Sequence, residues 1–112
     1  MTTQPLFDLL TLGRCGMDLF SLDIGAPFAE ASAFSAAVGG SPTNIAIGSS
    51  RLGLRVAALT AVGDDLVGDF ILNRLAREGV TTDFILRKRG KRTGLAMGQR
   101  RAAGPVSPGL LP

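Results

Sequence analysis

The run Gly39-Gly40-Ser41-Pro42-Thr43-Asn44 gathers the groups needed to hold a polar small molecule. Two adjacent glycines allow positive φ and let the backbone approach a ligand with no Cβ in the way. Ser41 reads as a helix N-cap and Pro42 as the first helical residue, where a missing N–H costs nothing. A helix start of this kind offers unbonded backbone N–H groups and the positive end of the helix dipole. Asn44 brings an amide donor and an amide acceptor to the same place. Together these groups suit a ligand pocket.

Other chemistry-bearing residues have plainer readings. Asp64 and Asp65 are adjacent carboxylates that can chelate a cation or cap the helix that follows, and capping is the expectation. Cys15 reads as a small residue behind the first strand, since only Arg14 is near enough in sequence to activate its thiol. Gly63 and Gly68 read as structural. The chain has no histidine and no Gly-x-x-x-x-Gly-Lys-Ser/Thr phosphate loop.

The elements that must position these groups alternate. Asp8 to Arg14 reads as a first buried strand, bounded by Gly13 and Gly16. Two short alternating pieces follow, around Phe20–Ile24 and Ser32–Val38, and the Gly25-Ala26-Pro27 break between them suggests a small β excursion. A helix is predicted from Pro42 to Leu52, with Gly53 ending it. Arg55 to Val62 is a continuous apolar run, as in a strand covered on both faces. Leu66 to Glu78 sets Val67, Phe70, Ile71 and Leu75 on one helical face, and Gly79 stops the helix. Asp83–Arg87 and Thr93–Met97 are further strand candidates. The order is that of an α/β fold with a parallel sheet layered by helices, in which ligands sit outside the carboxyl ends of the strands. Cys15–Asp18 and Gly63–Asp65 fall at such ends.

Bulk properties narrow the class. The 112 residues, 46% of them hydrophobic, allow one small domain or a piece of a larger one. The longest apolar run is far short of a membrane span, and Asp8 interrupts the stretch that would have to serve as a leader. One cysteine excludes an intramolecular disulfide, which points to a reducing cytoplasm. Residues 1–86 carry five basic and nine acidic side chains, and residues 87–112 carry seven basic and none acidic, giving the net charge of +3. No aromatic residue interleaves that basic tail, so nucleic acid and membrane are not the expected partners.

The block GGSPTNIAIGSSRLGLRVAALTAVGDDLVGDFILNRLAREGV at Gly39–Val80, the strand LLTLGRCGMD ending in Asp18 and the later TGLA at Thr93–Ala96 resemble the amino-terminal portion of ribokinase-type (PfkB) carbohydrate kinases. The resemblance covers about residues 8–97. It implies a Rossmann-like sheet with a small β lid formed around residues 19–38, and possible pairing of two copies through that lid. It implies that Asp18 accepts hydrogen bonds from sugar hydroxyls, that Gly39 and Gly40 bring backbone against the sugar, and that Asn44 binds a hydroxyl or carboxylate oxygen. Thr93 would border the same pocket. Ser41 stands where some relatives carry a lysine. The partner implied is a sugar or sugar acid, and the cofactors implied are ATP and Mg²⁺.

In the family, the base lies in a Gly-Ala-Gly-Asp segment near the carboxyl end, and no such segment occurs here. The expectation is a sugar-binding half without its catalytic half, inactive alone. A non-catalytic polyol-binding module whose basic tail meets an acidic partner is the alternative. Residues 98–112 mix Gly, Pro, Arg and Ala without periodicity and read as an irregular tail or an out-of-frame extension.

Overall fold

The computed structural model describes residues 5–99. In chain order the elements are β1 (Leu9–Leu12), β2 (Gly16–Ser21), a single 3-10 turn (Phe28–Glu30), β3 (Phe34–Gly39), α1 (Ser41–Arg51), β4 (Val56–Leu59), β5 (Ala61–Gly63), α2 (Leu66–Arg77), β6 (Leu86–Lys88) and β7 (Gly94–Gly98). This is the α/β alternation the sequence predicts. The tail read as irregular lies outside the described residues from position 100 onward, while Gly98 still belongs to β7.

β1 runs parallel to β4, pairing Leu9 with Val56 and Leu12 with Leu59. The apolar run expected as one strand over Arg55–Val62 is broken at Thr60, because the chain changes partner there. β1 ends at Leu12, with a last bond from Gly13 N to Leu59 O (3.2 Å). Beyond the break β5 pairs in parallel with β6, Val62 opposite Arg87, and Leu86 N donates to Thr60 O at 3.0 Å. Thr81 bridges Ala57 on the edge of β4 away from β1. The strand expected over Asp83–Arg87 begins only at Leu86. Ile85 N donates to Thr82 O (3.1 Å) and holds the preceding residues in a turn.

The β excursion is a small sheet of its own. β2 pairs antiparallel with β3 along its whole length, from Gly16 opposite Gly39 to Ser21 opposite Phe34. On its other edge β2 takes β7 in parallel, which puts Asp18 between Ala37 and Ala96. The β excursion, expected over residues 19–38, therefore runs from residue 16 to 39, with a third strand from residues 94–98.

Both helices end the way their glycines require. Gly53 (φ +95°) and Gly79 (φ +81°) occupy left-handed C′ positions. Each is followed by a residue whose N–H reaches back to the last turn, Leu54 N to Ser49 O (3.1 Å) and Val80 N to Leu75 O (3.0 Å). The core they cover is formed by Val38, Ala46, Val56, Ala58, Val62, Ile71, Leu75, Val80 and Ile85. No helix among the described residues is long and apolar enough to cross a membrane.

Candidate functional site

Three glycines draw the end of β1, the start of β2 and the β3–α1 junction together. Gly13 (φ +150°) leaves no room for a side chain, since a Cβ there would lie 2.6 Å from Pro42 Cγ. Gly40 (φ +102°) lies against the backbone of the β1–β2 connection. A Cβ on it would be 2.6 Å from Arg14 O and 3.2 Å from Cys15 Cα. Gly39 is buried, and the place of its missing side chain is taken by the carboxylate of Asp18. The diglycine thus serves two purposes. One residue makes the turn, and the other makes room for an acid.

The helix is capped differently from the sequence expectation. Gly40 is the N-cap, no side chain caps it, and Ser41 and Pro42 are the first two helical residues. The reason is the positive φ of Gly40, which only glycine adopts freely, so the turn is completed one residue earlier. Thr43 is fully buried, and its hydroxyl shares its proton between Gly39 O (2.7 Å) and Gly40 O (2.8 Å). It ties the glycine pair to the helix. Sequence reading gave Thr43 no role, and nothing in its neighbours' types signals one.

Asp18 also differs in its setting. The sequence placed it just past a strand, whereas it lies within β2. It is half-buried, and its carboxylate makes no hydrogen bond or ion pair with any described residue. Asn44 is exposed one turn into α1, its N–H bonded to Gly40 O at 3.0 Å and its side-chain amide without a partner among the described residues. Asp18 therefore lies directly against Gly39, Gly40 follows in sequence and packs on Arg14 and Cys15, and Asn44 lies one helical turn beyond Gly40. An acceptor-only carboxylate at Gly39 and an exposed amide one turn into α1 are groups that can hydrogen-bond hydroxyl-bearing ligands.

Asp65 is the N-cap of α2, as expected, and accepts from Gly68 N at 2.7 Å. It also binds Thr93, which lies 28 residues away in sequence. Thr93's hydroxyl and N–H, followed by the Gly68 N–H, hold the Asp65 carboxyl below its ordinary pKa. Asp64 instead pairs with Arg87 (3.3 Å), which also reaches Asp69 at 2.6 Å. Cys15 packs behind β1, its thiol near Ala61 O (3.6 Å) and Thr60 Oγ1 (3.5 Å).

With this geometry in place, the sequence pattern of the pfkB family carbohydrate kinases matches residues 7–105. The chain belongs to the pfkB family of carbohydrate kinases. Among its relatives are the 5-dehydro-2-deoxygluconokinases of Halalkalibacterium halodurans, 40% identical over 97 residues, and of Bacillus subtilis, 42% identical over 94. These alignments take in 86% and 83% of the chain, and it spans 29% of the length of each relative. Solved pfkB-type structures superpose well. A PfkB protein from Polaromonas sp. JS666 gives a TM-score of 0.77 at 31% identity, covering 84% of this chain and 31% of that one. A sugar kinase from Pyrococcus horikoshii, in complex with ATP, gives 0.76 at 32% identity, covering 87% and 32%.

Members of the pfkB family use ATP, and a metal ion beside it would need a cluster of carboxylate or similar ligands. Among the described residues no three His, Cys, Asp or Glu side chains cluster so as to hold a metal ion. The nearest carboxylates, Asp64, Asp65 and Asp69, are engaged by Arg87, Thr93 and Gly68 N.

Proposed function

We propose that this chain forms the sugar-binding part of an ATP-dependent kinase acting on 5-dehydro-2-deoxygluconate, a step of inositol breakdown in the cytoplasm. The observation that carries the reading is the Asp18 carboxylate seated over Gly39, two residues ahead of the start of α1, and free of protein partners among the described residues. An ionised carboxylate accepts hydrogen bonds only, so it selects donors, and sugar hydroxyls are donors in pairs. The N-terminus of α1, where Ser41 is exposed, suits the carboxylate end of a sugar acid. The relatives at 40% and 42% identity named 5-dehydro-2-deoxygluconokinase favour this substrate over a neutral sugar.

Phosphoryl transfer depends on positioning and on stabilising charge on the phosphate, and this chain carries neither the Gly-Ala-Gly-Asp segment nor a metal-binding cluster among its described residues. We therefore assign it binding without turnover. Calorimetry with 5-dehydro-2-deoxygluconate and fructose tests the assignment. The sugar acid should bind, and Asp18→Asn should weaken it at least about tenfold, the cost of removing a charged acceptor. Binding that ignores Asp18→Asn, or that prefers fructose, would defeat the substrate assignment. ADP release above background in a coupled assay would defeat the assignment of binding alone.

A further inference from the structure

β7 has little to hold it. Four of its five residues are exposed, it lies at the edge of its sheet, and among the described residues it pairs only with β2. What fixes its start is a closed set of hydrogen bonds from the β5–α2 loop. Asp65 Oδ1 accepts from Gly68 N (2.7 Å) and Thr93 Oγ1 (2.6 Å), and Oδ2 accepts from Thr93 N (2.9 Å). Thr93 Oγ1 in turn accepts from Gly63 N at 2.8 Å. Both glycines are required by the closeness of these groups. A Cβ on Gly68 would meet Gly63 O and stand 3.3 Å from Thr93 Oγ1, and one on Gly63 would meet Lys91 O and stand 2.9 Å from Asp65 Oδ2.

Thr93 immediately precedes the first pair of the β2–β7 ladder, Gly94 with Gly16. That pair is tight, since a Cβ on Gly16 would be 3.0 Å from Gly94 O. Two residues further on, Ala96 faces Asp18. We propose that Asp65 and Thr93 are positioning residues that latch the start of β7 and thereby fix the register holding the lid strand beside Asp18. A parallel edge strand with few buried side chains slips or frays when its anchor is lost, because little packing opposes it. The register does not depend on what Asp18 binds, whereas the effect on ligand affinity rests on the sugar-binding reading above.

Amide hydrogen exchange on the full chain tests the latch, with Thr93→Val removing the hydroxyl, Asp65→Asn placing an amide against the Thr93 N–H, and Thr93→Ser restoring the hydroxyl. The β7 amides in the first two variants should exchange about tenfold or more faster relative to those of β4 and α1, and Thr93→Ser should stay near wild type. Unchanged protection of β7, or equal acceleration across the whole chain, would overturn the latch. Calorimetry with 5-dehydro-2-deoxygluconate follows on the same samples, and affinity should fall in Thr93→Val and be kept in Thr93→Ser. If the wild-type chain binds no sugar acid, the functional reading fails, and the exchange data still decide the latch.

Discussion

At the residue scale, the diglycine separates two physical requirements that adjacent substitutions can tell apart. Gly40 must be glycine for the backbone: its φ of +102° and its approach to Arg14 O leave an alanine strained and in collision with main chain that cannot move away. Gly40→Ala should cost about 1–3 kcal/mol of stability. Gly39 must be glycine for its neighbour, because an added methyl meets the end of the Asp18 side chain, which can rotate aside. Gly39→Ala should therefore change stability by less than about 1 kcal/mol, while cutting sugar-acid affinity at least about tenfold as the carboxylate leaves its place. Thermal denaturation and calorimetry on the two variants separate the effects. Equal behaviour of the pair would contradict the arrangement.

At the element scale, the ends of α1 and α2 are held by polar contacts that depend on pH. Glu78, just past the end of α2, takes a bidentate pair from Arg51 of α1 at 2.6 and 2.8 Å. Asp8 takes the Arg55 side chain and N–H ahead of β4. Arg51 lowers the pKa of Glu78, Arg55 that of Asp8, and Thr93 that of Asp65. A carboxyl with a depressed folded-state pKa binds fewer protons folded than unfolded at acid pH. The stability these three contribute is thus complete above their ordinary values of 4.5 for Glu78 and 3.8 for Asp8 and Asp65. It is lost as pH falls through the lowered values. The unfolding midpoint should be flat from pH 7 down to about 5 and then drop, and Asp65→Asn should shallow that drop. A drop of equal steepness in the variant would remove Asp65 from the account.

Much of this was legible beforehand, and for local reasons. Helix periodicity, the C′ glycines and the Asp65 cap depend on residues within a turn of one another, so α1 and α2 were placed within a residue or two. The break at Thr60 was hidden because an apolar run shows burial and says nothing of which strand pairs with it. Asp18 read as a loop residue because β2 begins at Gly16, immediately beyond glycines and a cysteine that look like a turn. The contact of Asp18 with Gly39 and the bonds of Asp65 to Thr93 join residues far apart in sequence. Residue type marked each as interesting, and only the register of β2 with β3 and β7 made them neighbours.

At the scale of the whole molecule, β1 is covered on one face only. Leu9 and Thr11 turn toward the interior, while Leu10 and Leu12 are 55% and 78% exposed, and Leu86 on β6 is 63% exposed. The sequence predicted cover on both faces for Arg55–Val62, and Val56, Ala57 and Ala58 of β4 are all buried, whereas β1, expected to be buried, has one face exposed, with α1 packed against both strands. An apolar sheet face of this kind binds hydrophobic dyes and favours self-association, while its side chains add little to the stability of the chain that exposes them. Replacing Leu10 and Leu12 with lysine should therefore reduce dye fluorescence and concentration-dependent association, and the melting temperature should move by no more than about 2 °C, since less than ~0.5 kcal/mol of packing is removed. A fall of about 8 °C or more, equivalent to roughly 1–2 kcal/mol in a domain of this size, would mean that further polypeptide already covers this face and that the sheet is closed on both sides.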